Sequence, residues 1–256
     1  MIPEYPRGRE LLAGKVVVVT AAAGTGIGSA VARRCLEEGA SVVISDQHER
    51  RLGEKAEELA EFGKVHAIPC DVTDETHVQA LVDGATGHFG RIDVLINNAG
   101  LGGTRSILDM TDEEWLRVLD VTLNGTFRCT RAVLRRFVAQ GGGGVIVNNA
   151  SVIGWRAQAG QAHYAAAKAG VMALTRCAAI DAAEHGVRIN AVAPSLAKHP
   201  FLAKVTSEEL LESLEQREAF GRAAEPWEIA TVMAFLASDY AGYLTGETIS
   251  VSSQHP

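Results

Sequence analysis

The chain lacks any block of basic residues, and this sets a first boundary on its function. Its 24 Lys+Arg stand against 31 Asp+Glu, a formal charge of −7, so no positive surface is available to neutralise phosphates and nucleic acid is not an expected partner. No uninterrupted apolar run approaches the ~18 residues of a membrane helix. The opening MIPEYPRGRELLAGK has prolines and charges where a signal peptide needs an apolar core. A membrane is therefore not an expected partner either, and residues 1–13 read as a short surface arm. Cysteine is scarce: Cys35, Cys70, Cys129 and Cys177 lie far apart with no C-x-x-C pair, which fits buried thiols in a reducing, cytoplasmic setting better than disulfides. The histidines show no ligand spacing such as H-E-x-x-H, so no metal site is expected. Repeats are absent, and the one low-complexity stretch is GGGG at 141–144. Without a linker-like shift in composition, residues 14–256 are expected to form a single domain.

What is present is a recurring apolar, β-branched run. VVVV (16–19), SVVIS (41–45), VHAIPCDV (65–72) and IDVLINNAG (92–100) are followed by GVIVNNAS (144–151), VRINAVAPS (187–195) and ETISVS (247–252). Continuous rather than alternating runs predict strands buried on both faces, hence a parallel sheet covered by helices. Helical stretches lie between them. GSAVARRCLEEG stops on Gly39, TDEEWLRVLDVTLNGTFRCTRAVLRRFV opens with Thr111 and Glu114 at capping-box spacing, and the alanine-rich stretch from Tyr164 stops on Gly186. This alternation predicts an α/β, doubly wound parallel sheet.

Ligands of such sheets bind at the carboxyl ends of the strands. The first strand runs into Thr20 and then Gly24, Thr25, Gly26, Ile27 and Gly28, where a glycine backbone can approach a pyrophosphate and a helix N-terminus can face it. Asp46, eighteen residues after Gly28, is spaced to bind an adenosine ribose and to repel a 2′-phosphate. Taken alone, these glycines fit a tight turn equally well. Further on, Tyr164 and Lys168 are four apart and share a helix face. An ammonium beside a phenol favours the phenolate, and Ser151 at a strand end can bind a carbonyl or alcohol oxygen. Together they are the parts for proton transfer at an oxygen while hydride moves at the attached carbon.

With T20…GIG28, Asp71-Val72, NNAG (97–100), Ser151, Tyr164-x-x-x-Lys168, Pro194, GRAAEPWEIA and FLASDYAGYLTGE, the chain from about residue 14 onward resembles the short-chain dehydrogenases/reductases. In detail it is similar to actinobacterial members of steroid-ring catabolism, which act on hydroindane-type propanoyl-CoA intermediates. The resemblance implies a Rossmann-like sheet of order 3-2-1-4-5-6-7, a homotetramer, and NAD rather than NADP. Tyr164 would be general acid in reduction and base in oxidation. Lys168 would lower its pKa and hold the nicotinamide ribose, and Ser151 would orient the reacting oxygen. Asp71 and Val72 would embrace the adenine, Asn98, Ala99 and Gly100 would line the cofactor, and Pro194-Ser195 would meet its nicotinamide end.

Four departures from the family pattern stand out. The loop has one extra residue and its first glycine is Ala21, so Gly24 is expected to take over the permissive backbone role. Thr122 occupies the place of the family's catalytic asparagine, where its hydroxyl is expected to hold a relay water less firmly. Asn124, roughly 200° around the helix, cannot replace it. Ser195 follows Pro194 where glycine is usual, with His199 nearby as a possible carboxamide contact, and SVSSQHP replaces D-G-G at the C-terminus. Substrate choice is expected to rest on LGGTRSILDM, VIGWRAQAGQ and a lid over about 196–221. There Trp155 could wall off an apolar substrate, and Arg105, Arg156 and Lys198 could pair with an anionic group. A 3-oxoacyl thioester reductase and a non-catalytic dinucleotide sensor are the competing readings, the second disfavoured by an intact Ser151, Tyr164 and Lys168.

Overall fold

The computed structural model describes residues 2–198 and 208–253. Its sheet is seven-stranded, in the order β3-β2-β1-β4-β5-β6-β7, with every neighbouring pair parallel. The strands are β1 Val16–Val19, β2 Ser41–Asp46, β3 Val65–Pro69, β4 Val94–Asn97, β5 Gly144–Asn149, β6 Val187–Pro194 and β7 Thr248–Val251. On one face lie α1 (Ile27–Glu37), α2 (Glu49–Leu59) and α8 (Pro226–Ala237). On the other lie α3 (Glu75–Phe89), α5 (Gly125–Gln140) and α6 (Ala162–Ala183). Two further helices are α4 (Asp112–Leu119), which packs on α6, and α7 (Glu208–Arg217). The strand order reverses between β1 and β4, opening the crevice where such sheets bind ligands.

The β1 quartet illustrates why the runs are continuous. Val17 and Val19 enter the core under α1 and α8, with Val31, Cys35, Ile229 and Met233, while Val18 enters the core under α3 and α5 with Leu81, Val133 and Phe137. Each side chain is withdrawn from water, worth roughly 1.5–3 kcal/mol apiece, so neither face of β1 tolerates a polar residue. The capping box at Thr111 and Glu114 starts α4 as its spacing predicts. The expected long helix from residue 111 is nevertheless broken by a π-helical turn at Asp120–Asn124, which holds Thr122. The first residues are fastened down: Arg34 donates to the carbonyls of Pro6 and Arg7, and Glu38 accepts the N–H groups of Arg9 and Leu11.

Candidate active site

The loop after β1 is held from the neighbouring strand end. Asn98 donates from Nδ2 to the carbonyls of Thr20 and Ala21, both at 3.1 Å, and its backbone N–H and that of Ala99 donate to Thr20 Oγ1 at 2.9 and 3.0 Å. Asn98 is thus an internal brace for the loop as well as a residue beside it. Gly28 sits so close to this brace that a Cβ would lie 2.3 Å from the Ala21 carbonyl oxygen and 2.4 Å from Asn98 Nδ2. Gly24 was expected to supply a left-handed backbone, and it does not. Ala21 itself adopts φ +53°, in the left-handed region that favours glycine, despite its Cβ. The bonds from Asn98 at its carbonyl enforce that strain.

These residues fit a dinucleotide. The N-terminus of α1, capped at Gly26, carries no side-chain cap and no acidic residue in its first turn, so its N–H groups and dipole are open to an anion. Around Gly24 a Cβ would meet nothing nearer than the Gly26 nitrogen at 3.9 Å, so the backbone is open to close approach. Asp46, at the tip of β2, accepts the N–H of Ala23 at 3.3 Å and of His48 at 3.0 Å. Burial raises its pKa, and the Ala23 bond opposes the rise. Thr25, Gly26 and Ser29 also border a cavity of about 330 Å³ shared with Arg33, Lys55 and Trp227. Asp71 ties its own loop by accepting Thr73 N and Oγ1, and Val72 packs on α5, 2.6 Å from where a Cβ on Gly125 would lie.

Ser151, Tyr164 and Lys168 meet at the carboxyl end of β5. Ser151 is 8 % exposed and caps a short helical turn, Val152–Gly154, by accepting Ile153 N. That turn presses on α6 because residue 154 is glycine. A Cβ there would lie 3.0 Å from Ala169 N and 3.1 Å from the Lys168 carbonyl carbon. The Tyr164 phenol faces the Ser151 hydroxyl, and the Lys168 ammonium lies 5.6 Å from the Tyr164 ring centre. Burial pushes the Tyr164 pKa above its usual value while the Ser151 hydroxyl opposes it, and burial brings Lys168 down to about 8. The low-dielectric setting resists either charge alone and favours a phenolate and an ammonium formed together. The phenol of the free protein is therefore a proton donor at neutral pH.

Thr122 and Asn149 both make hydrogen bonds to backbone or side chains bordering the cluster. Thr122 is fully buried, and its hydroxyl donates to the Leu101 carbonyl at 3.2 Å and accepts the Leu101 N–H at 3.0 Å. It braces the backbone after β4 rather than reaching toward Lys168. Asn124 is turned away onto Asp120. Lys168 Nζ donates to the backbone carbonyl of Asn149 at 2.5 Å, and Asn149 Nδ2 donates to Asn98 Oδ1 at 3.0 Å. Asn149 Oδ1 is buried without a partner among the described residues. The sequence reading passed over this residue as a strand end. The signal was visible, since an amide on the last position of a buried strand has to be accounted for. Gly100 backs onto the same ammonium, 3.4 Å from a Cβ built there.

Around the cluster, Trp155 is half-exposed at the end of the Ser151 turn. The guanidinium of Arg105 is committed to Glu114 at 2.9 Å, so it acts first as a staple of its own loop. Arg156 donates its backbone N–H to Val152, and the Lys198 N–H bonds the Ala224 carbonyl while its side chain is exposed. A groove of about 570 Å³ runs between the loop of Thr104 and Ile107 and that of Ala157 to Gln161. His199 and residues 199–207 of the expected lid lie outside the described residues. Among the described residues no group of three or more His, Cys, Asp and Glu could hold a metal, and no helix is long and apolar enough to cross a membrane.

A parallel sheet with a nucleotide loop at β1 and a Ser–Tyr–Lys cluster at β5 defines a dinucleotide-dependent oxidoreductase of the alcohol–ketone type. The family model described as "Enoyl-(Acyl carrier protein) reductase" matches residues 21–253. The chain is 67 % identical over 256 residues to "(5R,7aS)-5-hydroxy-7a-methyl-1-oxo-2,3,5,6,7,7a-hexahydro-1H-indene-carboxyl-CoA reductase" of Mycobacterium tuberculosis, covering 99 % of this chain and 98 % of that one. It is 42 % identical over 244 residues to a cis-4-hydroxycyclohexanecarboxylate dehydrogenase of Sinomonas cyclohexanicum, covering 94 % and 96 %. The crystal structure of a short chain dehydrogenase from Mycobacterium smegmatis superposes with a TM-score of 0.90 at 60 % identity, covering 100 % of this chain and 99 % of that one. The chain belongs to the short-chain dehydrogenase/reductase family, whose fold implies a nicotinamide dinucleotide cofactor.

Proposed function

We propose that this protein uses NADH to reduce a ketone on a bulky, alicyclic, CoA-linked substrate of steroid-ring origin, and can run the reverse oxidation with NAD. The observation that carries the reading is the meeting of Ser151, Tyr164 and the buried Lys168 at the carboxyl end of β5. The substrate class follows from the relative that shares 67 % of its residues with this chain, whose name specifies a hydroxy-oxo-indene carboxyl-CoA. A nicotinamide held by the loop after β1 would supply the hydride for the carbonyl carbon. Ser151 and Tyr164 donate hydrogen bonds to the carbonyl oxygen, and Tyr164 passes its proton there as the hydride arrives. Lys168, fixed on Asn149, stabilises the phenolate left behind. The raised pKa of Tyr164 keeps the acid loaded at neutral pH.

Thr20, Gly24, Thr25, Gly26, Ile27 and Gly28 would hold the pyrophosphate, and Asp46 the adenosine ribose, so that NAD(H) is preferred to NADP(H). Asp71 and Val72 would flank the adenine, with Ala99, Gly100 and Pro194-Ser195 along the remainder. Thr122 serves this site as a brace for Leu101, and Trp155 and Arg156 border the substrate. We assign the protein to the cytoplasm and to a homotetramer. The tetramer is supported by exposed apolar side chains on two separate faces, Leu116, Phe127 and Ile180 on α4 to α6, and Phe235, Tyr240 and Tyr243 beside β7. The test is nicotinamide absorbance with both cofactors against ring ketones, steroid-derived CoA thioesters and linear 3-oxoacyl thioesters, with Tyr164→Phe as control. Turnover of a ring ketone with NADH, lost in Tyr164→Phe while NADH binding persists, is the expected outcome. Preference for NADPH and a linear 3-oxoacyl thioester would overturn both the Asp46 argument and the ring substrate.

A further inference from the structure

Two of the sequence departures meet at one side chain. Ser195, where the family has glycine, donates its hydroxyl to Glu218 Oε2 at 3.1 Å, and Ser253, in the segment that replaces D-G-G, donates to the same oxygen at 2.8 Å. Glu218 directly follows α7 and is 6 % exposed. A carboxylate withdrawn from water is costly unless its lone pairs are occupied, so a pair of hydroxyls converging on one oxygen is a built contact. The backbone around it is parallel-paired as well. Ser195 N–H bonds Val251 at 3.2 Å, and Ala224 N–H bonds Leu196 at 2.8 Å. Chain from after β6, from after α7 and from after β7 is thus gathered at one carboxylate, with Ser195 the first residue past the end of β6.

We propose that Glu218 is a positioning residue for the cofactor site. By holding Ser195 and Ser253 together, it fixes the loop leaving β6 and makes the C-terminal segment a working part of nicotinamide binding. This rests on the reading above that Pro194-Ser195 meets the nicotinamide end. In place of a flexible glycine, the site uses a serine whose position is set from outside by a carboxylate, and this stiffens the exit loop before the cofactor arrives.

The test measures NADH affinity by quenching of tryptophan fluorescence, KM and kcat for NADH, and melting temperature, for Glu218→Ala, Glu218→Gln, Ser253→Ala and Ser195→Gly. Glu218→Ala is expected to raise the Kd and KM for NADH about tenfold, as loss of charge-assisted bonds does, with kcat within about twofold of the wild type. Glu218→Gln, which keeps an acceptor oxygen, should fall between the two, and Ser253→Ala added to Glu218→Ala should cost nothing more. Should Glu218→Ala fail to fold, Ser253→Ala alone carries the test, with an expected rise of about threefold. Lower melting temperatures with NADH affinity unchanged in every variant would overturn the proposal and leave the cofactor reading intact. A wild-type protein that binds no NADH would overturn that reading and the proposal together.

Discussion

The nucleotide loop and the reactive cluster are built by opposite means. The loop is a strained backbone held by an amide: Ala21 sits at φ +53° because Asn98 grips its carbonyl and that of Thr20. The cluster has ordinary backbone and strained electrostatics, with a buried lysine lowered to about 8 and a phenol raised above its usual value. One half stores its cost in torsion angles and the other in desolvation. Sequence changes therefore act on them differently: the loop answers to sterics, the cluster to charge and pH.

Two glycines break the comparison most sharply. Gly28→Ala drives a Cβ into the Ala21 carbonyl and Asn98, and is expected to raise the NADH Kd on the order of a hundredfold by displacing the loop. Gly154→Ala drives a Cβ into the backbone at Ala169, and should lower kcat on the order of a hundredfold by shifting Ser151 from Tyr164, while NADH binding persists. Stopped-flow binding and steady-state turnover on both variants separate the two halves. Equal losses in binding for both would show that the halves are not independent.

Lys168→Met sharpens the electrostatic side. The folded pKa of about 8 lies below the roughly 10.4 of an unfolded lysine. Between these values the unfolded chain binds more protons, so this group adds stability as pH rises from about 8 toward 10. The variant should lose turnover, melt higher than the wild type at pH 7, and lose that part of the rise with pH. A wild-type curve no steeper than the variant's would refute the assignment. Asp46→Ala tests the loop side, with NADH affinity expected to fall about tenfold and NADPH affinity to hold or improve. The smallest effect is Ala21→Gly. Relief of a left-handed alanine, roughly 1 kcal/mol, is partly offset by the greater freedom of glycine in the unfolded chain, so calorimetry should find a gain of about 2 °C or less.

The sheet was legible because strands buried on both faces leave no polar residue to interrupt the run, as Val16–Val19 and Val42–Ile44 illustrate. The strand order came from the resemblance, and so did the weight placed on Ser151, Tyr164 and Lys168, because a Tyr-x-x-x-Lys pair in an alanine-rich helix is by itself better explained by chance. What escaped the sequence reading were features in which one residue acts on another far away in the chain. The π-helical turn at Asp120–Asn124 changes the helical phase, and the Asn124-Gly125 pair at its end was read as part of one unbroken helix. Gly24 was a sound guess from glycine's freedom, yet torsion at Ala21 is decided by Asn98, 77 residues away. Ser195 and Ser253 looked like separate losses of glycine until Glu218 joined them.

The amides of Asn98 and Asn149 have a practical consequence. Their contacts run unbroken from the Ala21 carbonyl through Asn98 and Asn149 to the Lys168 ammonium. A foreign glycine-rich segment transplanted here to change cofactor preference would carry its own torsion angles and tug on the last link of that chain. Engineers exchanging the segment would have to redesign the two amides along with it, or inherit a mistuned proton donor.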